Sequence, residues 1–382
     1  MATSNAHRTL PCSQLLLAGL AILTLAVAQP ASATEDPAGA GVAKEAPKKN
    51  PAKPFPISGN VSAGTTVGIG TFVDGPQRRP SMSGSLSLTV RTAPATGWTL
   101  MVMQDISKTL IDNADDGAAS RARETFVSDP VAMVLWAPTT GGGGGEKKEM
   151  TEAERKQAAL NPMMSHSGSG KPLALPGDIR VNFAGIFSLG TSRVSRFQGN
   201  YGTAGLAVNL VRSFGPVMLA YRLRFSKNFH EYSNASVDTS GLTSTSMLRA
   251  GGAEDLGGGM MATPFQNTSY FLRNRLLMSW DISDAWSFQA MLRVTNLFRY
   301  YEAPLDEYSS KYAKEGRGRS DTQLGTMSLN YVMGSSLIWS LASTTWSAPW
   351  SNDNQSYRFP LWDFVSASDN ITTVSLSVTK MF

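Results

Sequence analysis

N-I-T-T-V-S-L-S-V-T-K-M-F, residues Asn370–Phe382, is the last stretch of a 382-residue chain. Val374, Leu376 and Val378 fall on one face of it, and Thr373, Ser375, Ser377 and Thr379 on the other. That period of two marks a strand with one apolar face and one wet face. Its final residue is an aromatic, Phe382. A strand of this kind suits the edge of a soluble β-sandwich or the wall of a membrane barrel. The rest of the chain separates the two.

At the other end, Arg8 precedes an apolar run, Leu15 to Ala28, followed by Ala31-Ser32-Ala33. A basic start, an apolar core and an A-x-A site are the parts of a secretory signal peptide, so residues 1–33 are expected to be cleaved. The run is too short for a spanning helix, which needs about 20 apolar residues. Cys12 lies before the run, not after it, which argues against a lipoprotein. It is the single cysteine, so the mature chain has no disulfide framework. Residues 34–56, rich in Pro, Ala and Lys, are expected to form a flexible tether. A formal net charge of +5 is too small, on this length, to point to nucleic acid. Mean hydropathy is −0.14, and no long apolar run follows the signal. Low hydropathy with many alternating segments is how a membrane barrel reads, because half of every strand faces a wet interior.

Alternation predicts strands at Ile57–Phe72, Met82–Arg91, Trp98–Ser107, Val131–Trp136, Ile179–Leu189 and Tyr201–Ser213. Further strands are predicted at Val217–Phe229, Thr268–Ile282, Trp286–Tyr300, Thr322–Met333, Leu337–Trp346 and in the terminal stretch. Val131–Trp136 is apolar throughout and carries no alternation, so a smaller barrel without it stays open. Tight links (Thr92–Thr96, Phe214–Pro216, Ser283–Ala285, Gly334–Ser336) take turns with long ones (Lys108–Asp129, His230–Asn267, Tyr301–Asp321, Ser347–Asp369). A soluble sandwich has no reason to sort its loops by length, whereas membrane barrels have short turns at one rim and long loops at the other.

An alternating terminal strand that ends on Phe382 resembles the Gram-negative outer-membrane β-barrels. The fold class expected from strands, links and resemblance is an all-β, transmembrane, antiparallel up-and-down barrel of about twelve strands. It would have short periplasmic turns and long extracellular loops, and would occupy residues 57–382. The resemblance implies that Phe382 closes the barrel and is the signal read by the barrel-assembly machinery. Lys380 departs from that pattern, since a hydrophobic residue usually stands two places before the terminal Phe. Further implied are the bacterial outer membrane as location, and its lipids and lipopolysaccharide as surroundings. Residues 34–56 then lie in the periplasm.

One link breaks the length rule. Residues 139–177 fall on the periplasmic side, yet they form a long insertion. It opens with Gly141–Gly145, continues as a charged, helix-favouring segment from Glu146 to Leu160, and ends in Ser, Gly and Pro around Ser165–Pro176. Two readings stand: a disordered insertion with one transient helix, or a plug that folds into the barrel mouth.

Three neighbouring strands carry the most specific signal. Arg222 and Arg224, Arg273 and Arg275, and Arg293 with Arg299 fall on the faces opposite Leu219, Tyr221, Leu223, Leu272, Leu276, Leu292 and Val294. An arginine facing lipid at mid-membrane costs about 2–4 kcal/mol, so alternation and charge agree on which face is wet. All but Arg299 sit near mid-strand, and are expected to form a basic belt on one wall of the lumen. The opposite wall, from the first two strands, offers mainly Ser, Thr and Asn. The belt reads either as an ion-selecting element or as a structural network paired with loop acids such as Glu254, Asp255, Asp306 and Glu307. Arg212, Lys227 and Lys380 fall on the lipid side near strand ends, where long side chains snorkel to headgroups.

Outer-membrane lipid hydrolases pair a His with a Ser two residues on. Here His230-Glu231-Tyr232-Ser233 spaces them by three, which on a strand sends them to opposite faces. The other histidine outside the signal, His166, sits in the insertion. No triad, metal cluster or phosphate loop can be read, so no enzyme, metal or cofactor is expected. The expected function is a porin-like channel for passive diffusion of small hydrophilic, preferentially anionic solutes. The alternative is a closed structural or adhesion barrel that binds partners through its extracellular loops; a lipid hydrolase comes third.

Overall fold

The structure is a computed structural model. It describes residues 57–72, 81–95, 97–111, 125–140, 171–192, 195–196, 199–231, 234–238, 254–257, 260–300, 318–334, 336–350, 356–363 and 371–382. The expected signal peptide and tether lie outside the described residues, as do residues 141–170 of the insertion.

Twelve antiparallel strands close on themselves. They are β1 (Ile57–Gly68), β2 (Met82–Ala95), β3 (Trp98–Ile111), β4 (Val131–Trp136), β5 (Ile179–Leu189) and β6 (Asn200–Phe214). The second half is β7 (Val217–His230), β8 (Thr268–Asp281), β9 (Trp286–Arg299), β10 (Arg319–Met333), β11 (Leu337–Ser347) and β12 (Thr372–Met381). Each pairs with its chain neighbours, and β12 pairs with β1 from Asn60↔Met381 to Gly68↔Thr373. Phe382 completes this seam: its amide donates to the Gly59 carbonyl, and the Gly59 amide donates to its carbonyl, both at 3.0 Å. The Phe382 ring lies where a side chain at position 59 would be, which is why glycine fits there. Closure leaves no sheet edge, the one way strands satisfy their backbone in lipid.

The link lengths sort as expected. The short links after Ala95, Phe214, Asp281 and Met333 lie at one rim, where Ile57 and Phe382 also lie, and the long loops leave from the other. Gly97, Gly215 and Gly334 hold positive φ (77°, 57° and 64°) at three of these turns, a conformation without cost only for glycine. The first strand is shorter than its alternation suggests. It stops at Gly68, and Ile69–Phe72 makes a 3-10 turn tied to β2 by Thr71 and Ser81.

Val131–Trp136 is a barrel strand, which removes the smaller-barrel alternative. It pairs Trp98–Met103 on one side and Phe183–Ser188 on the other. A short segment, Thr125–Val127, prolongs it against Ile106–Lys108. The register moves by one residue between the two segments, at Ser128-Asp129-Pro130, where proline has no N–H for the ladder. The insertion is tied down at its base. Thr139–Thr140 pairs Lys171–Pro172, and Ala174–Leu175 pairs Ile179–Arg180. The loop after β7 carries a three-stranded sheet of its own, ordered Asn234–Asp238, Met260–Gln266, Glu254–Gly257.

The outer face is apolar and exposed, with Leu206, Leu223, Leu276, Leu341 and Leu376 among its residues. Aromatic rings cluster at both of its margins. Near the tight-turn rim, Trp98, Trp136 and Phe183 stack in a row at 6.0 and 5.4 Å, and Trp286 meets Tyr331 at 4.8 Å. Near the long-loop rim, Phe225, Tyr270 and Phe298 do the same at 5.9 and 4.7 Å. An apolar band between two aromatic girdles is the exterior of a membrane barrel. The lipid-side cations sit at its margins. Lys380 donates to Ser336 Oγ at 2.6 Å, Arg212 lies over Phe214 at 4.4 Å, and Lys227 bonds Ser269 and lies over Tyr300 at 4.6 Å.

Candidate functional site

The arginine belt forms on the inner face of β7–β9, and register decides its geometry. Arg222 stands directly opposite Arg275, and Arg275 opposite Arg293. One step toward the long loops, Arg224 stands opposite Arg273. Directly opposed residues have Cβ atoms about 4.5–5.5 Å apart, so this is like charge against like charge, a costly pairing. Arg222 is 5% exposed and the other four are half-buried. Neutral groups hold two of them in place: Arg224 Nε donates to Ser226 Oγ at 2.7 Å and Arg273 Nε to Thr295 Oγ1 at 3.3 Å. Both guanidinium groups flank the Phe271 ring, at 5.2 and 4.9 Å. Among the described residues, no carboxylate pairs with Arg224, Arg273, Arg275 or Arg293. Asp306 and Glu307, and the side chains of Glu254 and Asp255, lie outside what is described. Arg299 ends β9 at the long-loop rim, opposite Thr268, and is not part of the belt.

Polar groups extend the lower arginine row. Asn209 stands opposite Arg222, and Asn182 opposite Asn209. Asn209 is fully buried, yet its Oδ1 and Nδ2 have no protein partner, and neither does Arg275 Nε. Buried polar atoms are nearly always hydrogen-bonded, to water or a ligand where not to protein. Immediately toward the tight-turn rim the same wall turns apolar, with Val211, Ala220, Leu277 and Met291 in one cross-strand row.

The other walls differ from the belt and from each other. On β1 and β2 the inner face carries Asn60, Ser62, Ser83, Ser85, Ser87 and Thr89, as expected. Three charged residues went unrecognised. Arg91 continues the Ser85–Ser87–Thr89 series at the last residue of the expected strand; Asp105 stands opposite Ser87; Arg180 donates to Ser213 at 3.3 Å. Alternation already marks the faces of Arg91 and Asp105. At mid-height from β3 to β6 the inner wall is apolar rather than wet. Met101, Met133 and Ile186 are opposed in one row, each 1% exposed, and pack with Leu135, Ala184 and Ala207. This explains why β4 lacks alternation: both its faces are apolar. The two kinds of wall meet where Ala207 stands opposite Arg224.

Of the His–Ser pair, His230 ends β7. The His230 amide donates to Tyr300 Oη at 3.3 Å, its ring meets the Tyr300 ring edge-on, and Ser233 lies outside the described residues.

No protein-family model matches the chain, and no curated protein matches it. Among solved structures it is similar to an outer membrane channel from Pseudomonas putida F1, with 9% identity and a TM-score of 0.47, over 89% of this chain and 100% of that one. It is also similar to Salmonella typhi OmpF in complex with daunomycin (8%, TM-score 0.36, 86% and 97%). A third is the KdgM porin in complex with disordered oligogalacturonate (7%, TM-score 0.35, 85% and 99%).

Proposed function

We propose that the protein is an outer-membrane channel for passive diffusion of small hydrophilic solutes, with a preference for anions. The observation that carries this is the set Arg224, Arg273, Arg275 and Arg293, facing inward on adjacent strands with no carboxylate partner among the described residues. Guanidinium groups stay charged at any working pH. Set against each other inside low-dielectric walls, they raise the local concentration of anions. Exposed Ser85 and Asp105 supply the wet side of the passage. The apolar exterior and its two girdles support a membrane setting, with surrounding lipid and lipopolysaccharide as partners. Phe382, at the seam, is proposed as the residue read by the assembly machinery.

The test is conduction in a planar bilayer under a KCl gradient. Anion selectivity is expected, and it should fall as salt rises, since the Debye length shrinks from about 10 Å at 0.1 M to about 3 Å at 1 M. Replacing Arg222 and Arg273 by Gln should move the reversal potential toward zero with the barrel still folded. A folded protein that does not conduct would support the second reading, a closed barrel acting through its loops. The packing of Met101, Met133 and Ile186 at 1% exposure favours that reading.

A further inference from the structure

One sector of the outer face is polar. On β10, β11 and β12 the outward positions nearest the long loops are Gln323, Gly325, Ser343, Thr345, Ser347 and Thr372. Thr345 stands eight residues along β11 from Leu337, about 20 Å up a tilted strand, close to the upper edge of an apolar band about 25 Å tall. Left bare, this patch would interrupt the girdle that Phe225, Tyr270 and Phe298 make on β7–β9.

The chain covers the patch itself. After β11 it rises through Pro349 and Trp350, and Ser356–Asp363 returns to lie against the outer face. Arg358 N donates to the Pro349 carbonyl at 2.8 Å, and Gln323 Nε2 donates to the Arg358 carbonyl at 2.9 Å. Thr345 Oγ1 donates to the Leu361 carbonyl at 3.0 Å, and Asp363 N to Thr372 Oγ1 at 2.9 Å. Contact at Gly325 is so close that any side chain would collide with the Pro360 carbonyl. The strap's backbone thus pairs with Gln323 Nε2, Thr345 Oγ1 and Thr372 Oγ1, and its side chains cover the patch with aromatic surface. Phe359 and Trp362 pack at 4.5 Å, Trp350 and Tyr357 at 5.8 Å, and all four rings are exposed.

We propose that Ser356–Asp363 is a membrane-facing strap whose occupant is lipid of the outer leaflet, at the boundary of headgroups and acyl chains. Three observations favour lipid over a protein partner. The strap stands at girdle height. It is continuous with the exposed apolar residues Leu341, Val374 and Leu376 directly below it. Its exposed side chains include Tyr and Trp, whose rings carry one polar tip on an apolar body and concentrate at membrane interfaces. A loop that leaves the barrel at its outer rim therefore doubles as part of the lipid-facing wall. This holds whether the lumen is open or closed.

Site-directed spin labelling of the full chain in phosphatidylcholine vesicles tests it. With Cys12→Ser as background, labels at Trp362→Cys, Leu376→Cys and Ser85→Cys report the strap, the lipid face and the inner face. The label at 362 should collide with oxygen several-fold more, relative to an aqueous nickel chelate, than the label at 85, and less than the label at 376. If Trp362→Cys fails to give a folded barrel, Phe359→Cys carries the same expectation. A ratio at the strap equal to that of the inner-face label would overturn the proposal. So would dipolar broadening that vanishes on dilution with unlabelled protein, which would make the strap an interface between copies.

Discussion

The inner wall of β7–β9 and that of β3–β6 are built on the same backbone and do opposite things. The first sets Arg222, Arg275 and Arg293 in one row, each opposite the next. The second sets Met101, Met133 and Ile186 in the equivalent arrangement. Both present an apolar outer face, because lipid imposes the same demand all round the barrel. Inside there is no such common demand. The methionine wall gains stability by burying apolar surface against its neighbours. The arginine wall gives up stability to like-charge opposition and to buried atoms without protein partners. Where a fold keeps an arrangement that costs it free energy, function is the place to look for the compensation.

The largest expected effect comes from making the apolar wall resemble the charged one. Met133→Asp places an unpaired carboxylate among Met101, Leu135 and Ile186, and should destabilise the barrel by on the order of 3–5 kcal/mol. Urea unfolding in detergent, read by the shift of the folded band on gels, measures this; an unchanged midpoint would mean that water reaches the methionine wall. The opposite exchange should act with the opposite sign. Arg273→Met removes a charge opposed by Arg224 and should stabilise the barrel by roughly 1 kcal/mol while lowering anion selectivity. A marked loss of stability would reveal a carboxylate partner and turn the belt into a structural network. The smallest effect belongs to the wet wall. Arg91→Gln removes an inward cation away from the belt, so the reversal potential should move by less than for the Arg222 and Arg273 pair. An equal or larger shift would place the selective constriction at Arg91 instead.

Much of the barrel is legible in the chain. Leu219, Tyr221, Leu223 and Phe225 alternate with Ala220, Arg222, Arg224 and Ser226, and nothing but a strand at an apolar boundary needs that pattern. Alternation gives a weaker signal where both faces of a strand are apolar. Val131–Trp136 does not alternate because its inner face meets other apolar residues, and a strand apolar on both faces cannot be told from a buried helix segment by period alone. β2 runs past Arg91 to Ala95, where the outer alternation fades at Thr92 and Pro94. The belt's residues were readable as inward-facing, but that Arg275 stands between Arg222 and Arg293 was not. Nor could the sequence announce that Arg358 and Leu361 offer their carbonyls to Gln323 and Thr345 on the outside of the barrel.

By itself, then, the sequence determined which residues form strands, which face of each meets lipid and which rim bears the long loops. These follow from local rules: side chains alternate along any strand, and lipid rejects polar groups at every point around the barrel. Only the tertiary structure decided the register, the division of the inner wall into charged, wet and apolar sectors, and the return of the last loop onto the outer face. Those depend on which residues, tens to hundreds apart in the chain, are brought level with one another. A single residue of slip would exchange every inward for every outward side chain, so it is the pairing of whole strands, not the composition of any one, that sets what faces what.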